Sequence, residues 1–210
     1  YPVLNYSIHM HGAAQARGEY LLSTIRDANS ATTLPDQVGL YHAHDDHFDE
    51  EMVFTETCPN LHGSAQNEHV IAFGCTDGVL VITQNGDAFT AEKIANPVNF
   101  DTTKRVGTLL GSDDVMEFVG IAAGEFYAVN TSTNQLTAIN WIDANTSPAP
   151  SALAYGFADG GDPACVVHFH PCGVVGIDQF VVEPPVDRQG HPAVHSALRG
   201  ELLEDRGLEN

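Results

Sequence analysis

The pentapeptide His11-Gly12-Ala13-Ala14-Gln15 returns almost unchanged as His62-Gly63-Ser64-Ala65-Gln66, 51 residues further on. Each copy follows one long apolar residue, Met10 or Leu61. Each precedes a short gap and an apolar run, Tyr20-Leu21-Leu22-Ser23-Thr24-Ile25 or Val70-Ile71-Ala72-Phe73-Gly74-Cys75. A repeated segment marks a repeated structural unit. A repeated histidine then places two imidazoles at equivalent points of neighbouring units.

Short apolar runs separated by Gly, Asn, Asp and Pro clusters recur along the chain, the pattern of an all-β fold. Strands are expected at 20–25, 38–42, 51–55, 70–75, 79–83, 89–94, 107–110, 117–121, 126–130, 136–141, 153–157, 165–169 and 174–180. Turn chemistry separates them at Thr76-Asp77-Gly78, Asn85-Gly86-Asp87, Ala123-Gly124-Glu125 and Thr133-Asn134. A third unit begins at Gly107, 45 residues after His62, and a fourth at Ala152, another 45 on. Four short strands in about 45 residues make one blade of a β-propeller. Residues 1–183 thus read as about four blades, a partial ring or one completed by oligomerisation, with a homo-oligomer as one route to closure. A β-sandwich is the alternative. Residues 184–210, opening at Pro184-Pro185, read as a polar tail with a short helix over 193–206.

Charge narrows the function. There are 28 acidic residues against 8 basic ones, a formal net charge of -20, on a chain whose apolar content of 43% is enough for a core. Such a surface repels nucleic acid and anionic membranes and attracts cations. No stretch approaches the roughly 20 apolar residues that span a bilayer, so no membrane insertion is expected. The four cysteines form two local pairs, Cys58/Cys75 and Cys165/Cys172, each bracketing neighbouring strand segments. Two disulfides and an oxidising compartment are expected; four buried thiols are the alternative. The start at Tyr1-Pro2 reads as a processed or trimmed product without its secretion signal.

Three histidine groups are candidate metal ligands. His11 and His62 open the first strands of adjacent blades, where those strands line the central channel. His9, two residues before His11, would point the same way on an extended strand. Two imidazoles plus a third His or a carboxylate suit Zn²⁺; rings bonded only to a neighbouring blade are the architectural alternative. The tract Tyr41-His42-Ala43-His44-Asp45-Asp46-His47-Phe48-Asp49-Glu50-Glu51 holds three histidines and five carboxylates in eleven residues. It reads as a loose insertion capturing metal transiently through His42, His44, His47 and Asp45, or as a solvated acidic loop. His168 and His170 form a further His-x-His; His191 and His195 lie outside the repeat. No Gly-x-Ser-x-Gly, Walker, His-Glu-x-x-His or Rossmann motif occurs, so an enzyme is not expected.

The segment Cys58-Pro59-Asn60-Leu61-His62-Gly63-Ser64-Ala65, followed by Ala72-Phe73-Gly74-Cys75-Thr76-Asp77-Gly78-Val79-Leu80-Val81, resembles the periplasmic zinc metallochaperones that serve zinc ABC transporters (AztD-type proteins). Lys93-Ile94-Ala95-Asn96-Pro97, Arg105-Val106-Gly107-Thr108-Leu109 and Gly120-Ile121-Ala122 fit the same pattern, so the resemblance covers about residues 8–180. It implies a secreted or periplasmic β-propeller that binds zinc and passes it to the solute-binding protein of a zinc importer. It also implies a Cys58–Cys75 disulfide, a His-rich segment with 42–51 as its counterpart in character, and His62, then His11, as channel ligands. Family members are about twice as long. The competing expectation is a secreted acidic scaffold for protein–protein interaction, without metal.

Overall fold

The computed structural model describes residues 1–142, then the backbone of three later strands at 151–157, 164–169 and 175–180, with the side chains of Ala152, Tyr155 and Phe157. Every regular element among the described residues is a strand: β1 (Ala14–Arg17), β2 (Tyr20–Ile25), β3 (Gln37–Ala43), β4 (Phe48–Val53), β5 (Ser64–Gln66), β6 (Val70–Gly74), β7 (Gly78–Asn85), β8 (Ala88–Ala95), β9 (Thr108–Leu110), β10 (Phe118–Ala122), β11 (Glu125–Asn130), β12 (Gln135–Ile139), β13 (Ser151–Phe157), β14 (Ala164–Phe169) and β15 (Val175–Phe180). They form three four-stranded antiparallel meanders, β1–β4, β5–β8 and β9–β12, and a three-stranded one, β13–β15. These are blades of a partial β-propeller, and the first strands β1, β5 and β9 lie side by side. The β-sandwich alternative falls: the sheets repeat radially, each stacked on the next, instead of pairing as two layers.

Alternation explains the stacking. In β6 and β7, Ile71, Phe73, Leu80 and Ile82 face the first blade, packing with Leu22, Val38, Leu40 and Phe54. Their neighbours Val70, Ala72, Val79 and Val81 face the third blade, packing with Val106, Leu109, Phe118 and Val129. A strand has a side-chain period of two, so burying both faces requires the near-continuous apolar runs seen in the sequence. Each fully buried Leu, Ile or Phe contributes about 1.5–3 kcal/mol. By contrast β4 (FDEEMV) is largely exposed, and its acidic side chains blunt an outer strand that would otherwise template aggregation.

The turns follow their residues. Gly18, Gly86, Ala123 and Gly124 adopt positive φ in two-residue hairpin connections, and Asn134 does so in the four-residue β11–β12 turn. The first strands expected to open at His11 and His62 are β1 and β5, which are short and begin three and two residues later. They hold the second halves of the repeated pentapeptides, and runs of small residues such as Ala14-Gln15-Ala16 carry little β-propensity of their own. The expected loose insertion at 42–51 is instead a β-hairpin. His42 and Ala43 end β3, Phe48 opens β4, and Ala43 pairs with Phe48 across a four-residue tip. No helix among the described residues is long and apolar enough to cross a membrane. The tail helix over 193–206, His170, His191, His195, and the side chains of His168, Cys165 and Cys172 lie outside the described residues.

Candidate metal centre

His62 owes its position to three backbone accommodations. Its amide donates to the Gly74 carbonyl at 2.9 Å, and the Gly74 amide donates to Gly63 at 3.1 Å. Gly63 sits at φ 76°, where L side chains are strained, and a Cβ there would lie 2.6 Å from the Gly107 carbonyl oxygen. A Cβ on Gly74 would lie 2.0 Å from the Val106 carbonyl oxygen. The missing side chains let the third blade approach. The Cys58–Cys75 disulfide, with both sulfurs in the core between the first two blades, closes the loop that carries His62.

That approach brings the Gly107 carbonyl 2.7 Å from His62 Nδ1, which donates to it. The Nε2 lone pair then faces outward. Across the blade boundary, His11 Nε2 stands 3.1 Å from His62 Nε2, with the rings 4.8 Å apart and 12° from parallel. His62 is half-buried and His11 exposed. The two repeats also touch directly beneath the rings, where Gln15 Nε2 donates to Ser64 Oγ at 2.8 Å. Rings held only by backbone would have suited the architectural reading; here one nitrogen of His62 is so held and the other meets His11.

His9 is not drawn into this pair as a third close ligand. Among the described residues, the one group of three His, Cys, Asp or Glu ligand atoms within 4.8 Å of one another is His44, His47 and Asp49. His9 lines a cavity of about 710 Å³ with Tyr6, Met10 and Thr24, and its carbonyl accepts from Arg26 Nη1 at 3.0 Å.

The hairpin tip is a second centre. His44 Nε2 lies 3.2 Å from one Asp49 oxygen and His47 Nε2 3.5 Å from the other. Asp49, not Asp45, completes the group. His47, the last residue of the tip, and Asp49 in β4 are two apart on extended chain and so share a side, and the tip folds His44 back onto them. His42 stands next in line, its ring 5.1 Å from that of His44 and its Nε2 3.9 Å from Glu19. His47 Nδ1 donates to Asp46 at 2.8 Å. That bond holds the His47 pKa above its usual value and the Asp46 carboxyl below its own. All three ligands are exposed.

The two centres sit at opposite ends of the first blade. Tyr20 pairs with His42 at one end of β2, while Thr24 bonds the Ala13 backbone beside His11 at the other. The six residues of β2 span roughly 16 Å at about 3.3 Å per residue. The N-terminal segment bridges them: Val3 forms a parallel bridge with His47, and the chain then runs to His11.

Sequence reasoning missed the clamp between the first two blades. Arg17 bonds the carbonyls of Asn67 and Glu68 and, at 3.0 Å, the Gln84 side chain. Buried Asn67 bonds the Val115 and Met116 carbonyls of the next blade at 3.1 and 3.2 Å. An Arg and an Asn after the repeated pentapeptides were the only signal.

Fold and site together define a partial β-propeller with two histidine clusters, one at each end of its first blade. The chain is similar in structure to AztD from Citrobacter koseri. An apo structure of that protein matches at TM-score 0.62 and 20% identity, over 88% of this chain and 46% of that one. A second AztD crystal structure matches at 0.54 and 18%, over 87% and 48%. The described fold is thus that of about half an AztD propeller. No family model matches the chain, and no curated protein sequence matches it.

Proposed function

We propose that the chain belongs to an exported zinc-binding protein, a metallochaperone that captures Zn²⁺ and transfers it to the periplasmic solute-binding protein of a zinc ABC importer. The observation that carries this reading is the 3.1 Å approach of His11 and His62 Nε2 from two blades. Two Zn–N bonds of about 2.05 Å meeting at the tetrahedral angle put their nitrogens about 3.3 Å apart. A Nδ1–H bonded to a backbone carbonyl, as in His62, is the usual support of a zinc-binding imidazole, fixing its tautomer and aim.

In the metal-free pair, His62 Nε2 is the acceptor, so His11 Nε2 carries the proton. Zinc would take the Nε2 position as the His11 proton moves through solvent to Nδ1, so the ring would ligate as the neutral imidazole. Two protein ligands leave coordination positions for water and for an incoming donor. Transfer is then stepwise ligand exchange: an acceptor's imidazole or carboxylate enters before His11, the more exposed ring, leaves. No covalent chemistry is needed, and the protein acts as a carrier, not an enzyme. The hairpin group is a separate capture site of exposed ligands. Because it lies a blade length from the pair, ions pass between the two by dissociation and rebinding. The Cys58–Cys75 disulfide supports a periplasmic or secreted location.

Isothermal titration with zinc, on the wild type and on His62→Ala, tests the reading. A tight site lost in the variant is expected. Unchanged binding in the variant removes His62 from the site, and no stoichiometric zinc at all leaves the acidic interaction scaffold.

A further inference from the structure

Five of the chain's cationic side chains fall among the described residues, and four are engaged. Arg17 and Arg26 bond backbone carbonyls, Lys93 holds Asp77 at 2.6 Å, and Lys104 holds Glu125 at 2.7 Å. Arg105 has no hydrogen-bond or ion-pair partner among the described residues. In a chain with 28 carboxylates, an unclaimed guanidinium is the exception to explain.

Its surroundings give the explanation. Arg105 is half-buried and lines a cavity of about 630 Å³ with His62, Ile121, Glu125, Trp141 and Tyr155. That is the size of a small-molecule site and far more than one side chain needs. The Arg105 Nε and the His62 Nδ1 lie 3.7 and 3.9 Å from the point where a Cβ on Gly107 would stand, so the guanidinium reaches in beside the histidine. Glu125 is the only carboxylate among the described residues of the wall, and Lys104 and the Tyr127 hydroxyl, at 3.0 Å, already bond its two oxygens. The guanidinium is therefore left with its donors, while Ile121, Trp141 and Tyr155 supply an apolar and aromatic wall.

We propose that this cavity binds a small organic acid: a carboxylate on an apolar stem. The Arg105 fork takes the carboxylate through paired N–H donors, a geometry that matches the two oxygens. The stem lies against Trp141 and Tyr155. The field of a chain at -20 disfavours anions in general, so selection is local, by the fork and the wall together. This inference does not depend on zinc binding by the histidine pair.

Trp141 is the chain's single tryptophan and lines the cavity, so its fluorescence reports occupancy directly. The probe is cyclohexanecarboxylate, and its neutral amide is the control. The wild type should show a saturable change with the acid and none with the amide. Arg105→Gln should weaken the response at least tenfold, with Arg105→Lys between the two. His11→Ala, which breaks the histidine pair from outside the cavity, should keep the response to the acid. No saturable change in the wild type, equal responses to acid and amide, or an unchanged response in Arg105→Gln each overturn the proposal. Should Arg105→Gln fail to fold, the comparison of acid and amide on the wild type still decides.

Discussion

His62 Nδ1 rests 2.7 Å from the carbonyl oxygen of Gly107, the residue that leads into the first strand of the next blade. One blade thereby aims the imidazole of another. The bond commits the Nδ1 proton and leaves Nε2 as the only lone pair of the neutral ring.

A pair that acts as one site gives non-additive losses. His11→Ala and His62→Ala should each weaken zinc binding at the tight site by at least tenfold. The double variant should lose little more, because either change alone destroys the chelate. Calorimetry on the four proteins checks this; fully additive losses would mean two independent contacts.

The hairpin group should titrate with metal separately from the pair. Asp49→Asn is expected to abolish the weaker class of zinc site and leave the tight one, whereas Asp45→Asn leaves both. Titration curves that lose the tight class on Asp49→Asn would contradict the separation of the two centres along β2.

The Asp46–His47 pair sets a pH window. His47 is held above its usual pKa of 6.5 and Asp46 below 3.8, chiefly by their mutual hydrogen bond. The His47 contribution is fully present below the unfolded histidine pKa and fades as pH rises through the raised folded value. The Asp46 contribution is present above the unfolded aspartate pKa and fades as pH falls through the lowered one. The pair therefore stabilises the hairpin between those limits. Histidine-detected NMR should show His47 titrating above 6.5, and Asp46→Asn should bring it down.

Glu117 is buried just before β10, 2% exposed, with Asn130 Nδ2 at 3.3 Å as its side-chain partner. Burial raises its pKa. The raised value favours the protonated acid in the fold, so stability falls as pH climbs from the unfolded carboxyl pKa through the folded one. Glu117→Gln, a mimic of the neutral acid, should raise Tm at pH 7 and change it little at pH 4.

The His62 loop depends on tight backbone packing and on the disulfide that closes it over a separation of 17 residues. Reducing the disulfide should cost about 3 kcal/mol by loop entropy. Gly74→Ala should cost about 1–3 kcal/mol or more by overpacking, because the new Cβ meets the Val106 carbonyl at 2.0 Å. Denaturant midpoints measure both, and zinc affinity should fall with each.

The blade count, the strand runs at 20–25 and 126–130, the turns at Gly86 and Gly124, and the kinship of His11 with His62 were all legible in residue order. Each is local: period-two burial, φ-permissive glycine and a repeat need only neighbours along the chain. Geometry between elements was not legible. His9 shares a segment with His11 but not its site, and Asp49 replaces Asp45 because the hairpin register puts residues 47 and 49 on one side. The tract that read as loose insertion is ordered by pairing with β3, a contact that composition does not encode.

Residue order by itself determined which donors this protein carries and in which blade each one lies. Only the tertiary structure decided that the His11 and His62 nitrogens converge to 3.1 Å while the hairpin cluster stands at the far end of the blade. The reason is physical: distances within a strand follow from its fixed rise, but distances between blades come from long-range packing, here the close approach that Gly63 and Gly74 permit.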